Sequence, residues 1–451
     1  VEDQRLYLVI YYDNLHLKPF SRNRAGRELR RFLRANLQAG DRTMLVTFER
    51  NLHVRQAFTE NLSLVERALQ EAETLTGFAV QKEAERSQII KRMDSSRGVG
   101  EAQAHIDLYA RETHRDVESS IDGLKGVIAS LSGISGRKAL LYVSDGLPME
   151  PAHDLYLMLD NKYRDSAQGL LQSSRYNVRG DFREVVAQAN SNRVTFYTLQ
   201  ASGLRSHGSL SAESGGLQDG GSALDADLAL ESDLQEPLQM LAEGTGGQAV
   251  IGTNNLAGGL ERLGEDLRTF YSLGFSPSHS GDGRYHRLEV QVKGRRGLTV
   301  RHRDGYRDKT PTDQLRDGTL ASLLHGAGVN KLGLSVHLGQ GQRRDDGFLL
   351  VPIEVRIPLG RVTLVPQDVS YLGRLQVSLA VAEDERGTSA PHIEPLTLSL
   401  PAGDLPMALE KYYVYAVELL MRPGQQLLAV GVRDELAGET SYLRQGVKVT
   451  G

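Results

Sequence analysis

Two aspartates close apolar runs in this chain. Asp13 ends RLYLVIYYD (5–13), and Asp145 follows RKALLYVS (137–144). Runs rich in β-branched and aromatic residues, bounded by polar turn residues, read as strands buried on both faces of a parallel sheet. In open α/β sheets, ligands gather just beyond the carboxyl ends of such strands. Asp13 and Asp145 are therefore predicted at one rim of one sheet. Two carboxylates about 5 Å apart, at an effective dielectric of about 20, repel by roughly 3 kcal/mol. A bound cation, a proton or a hydrogen-bond donor has to relieve that. The competing reading is structural: the two carboxylates cap loops or accept backbone N–H groups at strand ends, and Asn14 holds a turn.

The elements that must position this pair alternate. Leu29, Phe32, Leu33 and Leu37 give a helix near 24–38 one apolar face. RTMLVTFE (42–49) and HVRQAF (53–58) read as strands, and a helix begins at Asn61 or Ser63. Residues 79–104 read as a charged, partly helical insertion, and a helix follows to about 128. RVTFYTLQ (193–200) and QAVIGT (248–253) are later strands, and 256–270 is a final helix. The Gly-, Ser- and Asp-rich stretch 202–233 reads as a long surface loop, with a helix over 237–246. Strand–helix alternation predicts an α/β fold with a doubly wound, mainly parallel sheet.

The pattern then changes. Segments 271–277, 284–294 and 298–306 read as β-structure, and 307–318 as a polar link before a short helix. From 330 to 449 about eight short apolar or alternating runs are separated by turns, which predicts an all-β sandwich. The expected division is residues 1–277 for the α/β domain, 278–318 for a β-hairpin extension and linker, and 319–451 for the sandwich.

The totals limit the function. The chain has 451 residues, a formal net charge of -4 and no cysteine. Disulfides, cysteine zinc sites and cysteine nucleophiles are excluded. The scattered Lys and Arg and the acidic balance argue against a nucleic-acid binder. No run of about 20 apolar residues suggests a membrane span. There is no Gly-x-Ser-x-Gly elbow, His-Glu-x-x-His or P-loop. The expectation is a protein without enzymatic activity.

Leu8–Asp13, Gly40–Phe48, Gly136–Pro148, Leu241–Thr253 and Tyr271–Pro277, in that order, resemble a von Willebrand factor A-type domain. They are most similar to the secreted bacterial subgroup labelled "VWFA-related", common in Acidobacteria. The C-terminal residues are similar to appended Ig-like or fibronectin-like sandwiches. The resemblance implies export, with an extracellular, periplasmic or cell-surface location. It also implies protein partners, copies of the same chain among them, in adhesion or in assembly of a surface structure.

A-type domains hold a divalent cation through Asp-x-Ser-x-Ser, a later Thr and a later Asp. On that pattern Asp13 and Asp145 match the two acids, and Thr113 lies at a distance that suits the threonine. Leu15 and Leu17 stand at the two serine positions, so the motif is degenerate. The implied site is magnesium or another divalent cation on Asp13, Asn14 and Asp145. His16 is the other polar residue of the loop, but a hard cation favours oxygen over imidazole. The alternative is an A-type fold serving as a metal-free scaffold.

Overall fold

A computed structural model describes residues 5–134, 136–163, 168–204, 220–271, 273–275, 281–294, 297–298, 300–383 and 387–450. The chain divides into two compact units. The first comprises Val1–Ile128, Gly136–Pro277 and Tyr285–Arg307; the second comprises Ala129–Ser135, Ser278–Arg284 and Asp308–Gly451.

In the first unit the elements run β1 (Leu6–Asp13), α1 (Pro19–Asn36), β2 (Arg42–Phe48), β3 (Leu52–Thr59), α2 (Leu62–Ala72), α3 (Ala79–Ser95), α4 (Val99–Ser130) and β4 (Arg137–Ser144). They continue through α5 (His153–Tyr163), α6 (Gln168–Ser173), α7 (Arg179–Ser191), β5 (Val194–Gln200), α8 (Gly220–Gly244), β6 (Ala249–Val250) and α9 (Leu256–Arg268). Two three-residue strands, β7 (Tyr285–Arg287) and β8 (Gly305–Arg307), close the unit.

The sheet order is β3-β2-β1-β4-β5-β6. Every pairing is parallel except β2 with β3. This is the doubly wound, mainly parallel sheet that strand–helix alternation predicts. Leu8, Ile10 and Tyr12 of β1 share one core with α1, α2 and α9. The opposite face meets α4: a side chain at Gly123 would strike the Phe48 ring and the Tyr11 hydroxyl. Helices therefore cover both faces, and β1 and β4 sit at the centre with nearly every residue buried.

Two sequence expectations need correction here. The stretch 202–233 is not one loop: 205–219 lie outside the described residues, but 220–233 belong to α8. Ala226, Leu234, Leu238 and Leu241 bury one side of that helix. The polar residues between them had masked the period. The β-structure expected over 284–294 and 298–306 shrinks to the β7–β8 pair and one bridge from Thr245 to Arg303. Of 271–277, residues 272, 276 and 277 lie outside the described residues.

The second unit holds α10 (Pro311–His325), β9 (Ser335–Leu338), β10 (Gln342–Arg343), β11 (Leu349–Pro358), β12 (Val365–Gln367), β13 (Ser370–Glu383) and β14 (Gly387–Thr388). It ends with β15 (His392–Pro401), α11 (Leu405–Ala408), β16 (Tyr412–Met421), β17 (Gly424–Asp434) and β18 (Thr440–Val449). One sheet joins β9, β10 and β16 to β11; the other joins β12, β14, β15 and β17 to β13, with β18 beyond β17. Ile353, Val355 and Ile357 of the first sheet and Val377, Val430 and Val432 of the second share one core, which makes a β-sandwich.

Helix α10 starts inside the stretch read as a polar link. Thr310 and Asp313 form a reciprocal capping box, and Gly326 ends the helix in the left-handed region. Gly431 is open so that Thr319 and Leu315 of α10 can approach the backbone of β17; a Cβ there would lie 2.4 Å from the Thr319 hydroxyl.

Candidate functional site

The register of β1 against β4 pairs Tyr12 with Val143. Asp13 and Asp145 therefore emerge at the same carboxyl rim of adjacent central strands. The loop after β1 then folds back across the end of β4. The Asp145 N–H donates to the His16 carbonyl at 3.1 Å, and the Lys18 N–H donates to Asp145 Oδ2 at 2.9 Å. Asp145 thus acts as a staple between two rim loops.

Asp13 is fully buried. Its Oδ2 accepts the Tyr142 hydroxyl at 2.5 Å and lies 2.9 Å from His16 Nδ1. The Ser120 hydroxyl of α4 sits 3.4 Å from the same imidazole nitrogen. Asp13 Oδ1 has no hydrogen-bond partner. Burial and then the Asp13 charge hold the Tyr142 hydroxyl far above its ordinary range, and Tyr11 shifts upward for the same reasons. Both phenols stay protonated, and Tyr142 acts as a donor.

Asn14 faces other work. Its amide nitrogen donates to the Thr76 carbonyl at 2.7 Å, and its oxygen accepts from the Arg22 guanidinium. Arg22, 1% exposed, also donates to the carbonyls of Glu73 (3.0 Å) and Leu75 (2.7 Å). Burial lowers the Arg22 pKa below its usual value. The Asn14 oxygen is held by a cation of the protein itself.

Leu15 and Leu17 are 1% and 0% exposed, and Leu17 joins the core with Leu29 and Leu33. These side chains anchor the loop at the sheet–helix interface. Thr113 lies half-buried in α4. The α4 hydroxyl near the rim is Ser120 instead, two helical turns further on. Ser120, Tyr142 and Arg22 are the rim residues that sequence reading missed. The alternation of β4 puts Tyr142 on the face that meets α4, which is the signal that could have found it.

A magnesium-type ion requires about six oxygen ligands in near-octahedral geometry. At the rim Oδ2 of both aspartates is engaged, Asn14 is held by Arg22, and Leu15 and Leu17 bring no donor atom. Among the described residues, no three His, Asp or Glu side chains converge as a metal site. This donor set does not fit a resident hard cation. The arrangement meets the rim carboxylates with a tyrosine donor, the Lys18 N–H and a neighbouring imidazole.

No family model matches the chain, and no curated protein matches it. Among solved structures, the chain is similar to the vWF domain of the type V pili tip protein from Porphyromonas gingivalis, at 11% identity, over 62% of this chain and 100% of that one (TM-score 0.30). It is similar to the conserved hypothetical protein BatB from Bacteroides thetaiotaomicron at 11% identity, over 59% and 98% (TM-score 0.28). An aerotolerance-related membrane protein from Bacteroides fragilis gives 11% identity over 59% and 99% (TM-score 0.27). These likenesses are loose, and the fold is described from the chain's own strand pairing. The first unit has a doubly wound, mainly parallel sheet with the strand order 3-2-1-4-5-6, and its rim is closed by its own side chains.

Proposed function

We propose that the chain is a non-enzymatic protein-binding component of an exported or cell-surface assembly, and that its A-type unit is a scaffold needing no metal ion. The carrying observation is the rim loop: Leu15 and Leu17 are buried while Asp13 is engaged by His16 and Tyr142. Ligand hydroxyls have been exchanged for core contacts, and the loop needs no ion to hold its shape. Asp13 and Tyr142 are inaccessible to solvent, so this rim presents neither as a nucleophile or acid. Among the described residues no helix is long and apolar enough to cross a membrane. Export is the part of the proposal that draws on the family resemblance, and fractionation of the native cells tests it.

Magnesium-dependent adhesion is the competing reading. The unpartnered Asp13 Oδ1 is the observation in its favour. Calorimetric titration with magnesium, calcium and manganese separates the two. A ligand at 100 times its Kd stabilises a folded protein by about 2.7 kcal/mol. We expect no heat and no melting shift at millimolar ion. Saturable heat that disappears in Asp13→Ala would overturn the metal-free scaffold.

A further inference from the structure

An exposed strand edge is a template for pairing, and proteins normally blunt it with charge, proline, bulges or short length. Among the described residues, most of the strand edges follow that rule. In the first sheet, β3 has register shifts against β2 and carries His53 and Arg55, and β6 has two residues. In the second unit, β10 has two residues and β12 three, with Pro366. β15 carries Glu394 and Pro395, and β18 carries Arg444 and Lys448.

Strand β16 has none of these devices over most of its length. It is ten residues long and pairs with β11 in unbroken register from Tyr412 to Met421. Among the described residues β11 is its sole strand partner. Its outer row is Tyr412, Val414, Ala416, Glu418 and Leu420, with Tyr412 56%, Val414 45% and Leu420 50% exposed. One charge interrupts that row.

We propose that β16 pairs antiparallel with β16 of a second copy of this chain, across a two-fold axis at Ala416. The outer edge of β16 is self-complementary, which favours a second copy as its partner. A two-fold axis normal to the sheet keeps outer residues opposite outer residues. Centred on Ala416, it sets Tyr412 opposite Leu420 and Val414 opposite Glu418, and it sets Tyr413 opposite Leu419 on the inner side. Just beyond the strand, Glu410 falls opposite Arg422, and the symmetry makes that pair twice. Moving the centre by one residue in either direction loses both Glu410–Arg422 pairs. No like charges face one another in the Ala416 register. The pairing joins the two β16 edges into one sheet across the copies and satisfies both rows of open backbone groups. It rests on the assembly reading above and names its partner.

The test uses the full chain and Ala416, which is exposed, so that substitution leaves the sandwich core untouched. Wild-type protein at about 100 µM is expected to sediment at twice the mass of the chain. Ala416→Lys and Ala416→Glu each set like charges face to face and are expected to weaken dimerisation by about tenfold or more. An equimolar mixture of the two variants sets Lys against Glu and is expected to restore the dimer. Unchanged circular dichroism and melting temperature control for folding. A monomeric wild type, a dimer unaffected by either variant, or a mixture that stays monomeric would each overturn the proposal. None of these outcomes touches ion binding, and the ion titration above leaves the β16 edge unaltered, so the two readings fail separately.

Discussion

The carboxyl rim of the first sheet and the outer edge of the β9–β11–β16 sheet both expose strand backbone to whatever lies beyond. The rim is sealed. Asp145 binds the Lys18 N–H, Asn14 is clamped by Arg22, and Leu15 and Leu17 lie in the core. The β16 edge has a regular register and an apolar outer row, and no partner strand among the described residues. The polar side chains of the rim are thus spent on internal contacts, while the outer side of β16 carries no paired strand among the described residues. A recognisable motif position shows where a fold can bind; the side chains decide whether it does.

The largest effect should come from prying the rim apart. Leu17→Ser introduces a hydroxyl at the rim but removes a core anchor and buries a polar group. We expect a loss of about 3–5 kcal/mol by urea denaturation, with no gain of magnesium binding. Arg22→Ala should follow, at about 3 kcal/mol, because it leaves the Glu73 and Leu75 carbonyls and Asn14 without their donor.

A smaller effect is expected in the second unit. Burial, and then the nearby Arg444, push the His325 imidazole down to about 4. The folded pKa lies below the unfolded one, so the unfolded chain takes up the proton first. Stability is intact above about pH 6.5 and falls as pH drops from there towards 4, by up to about 3 kcal/mol. His325→Gln should flatten that limb of the stability–pH curve. Tyr142→Phe should cost about 1.5–3 kcal/mol, since Asp13 loses a charge-assisted donor. Substitution at exposed Ala416 should change monomer stability by less than about 0.5 kcal/mol, whatever it does to association.

The central sheet was legible because β1 and β4 are buried on both faces, and such strands show as unbroken apolar runs ending on Asp13 and Asp145. The sandwich strands were legible from their alternation and turns. Helix α8 was not, because its buried residues are interrupted by Asp225, Asp227 and Glu231, and glycines crowd the stretch before it. Helix α10 was readable from Thr310-Pro311-x-Asp313, a start signal that its polar composition obscured. At the rim, sequence order identified the acids but not their partners. Tyr142, Ser120 and Arg22 reach the loop through strand register and helix packing, which spacing along the chain does not encode. Thr113 fits the spacing, yet the long α4 helix delivers Ser120 to His16 instead.

The most direct measurement is an anomalous-scattering crystal structure of the protein grown or soaked in millimolar manganese. We expect His16 Nδ1 within hydrogen-bond reach of Asp13 Oδ2, as at the present 2.9 Å, and no anomalous peak at the rim. A manganese peak about 2 Å from Asp13 Oδ1, with the imidazole swung away, would contradict it.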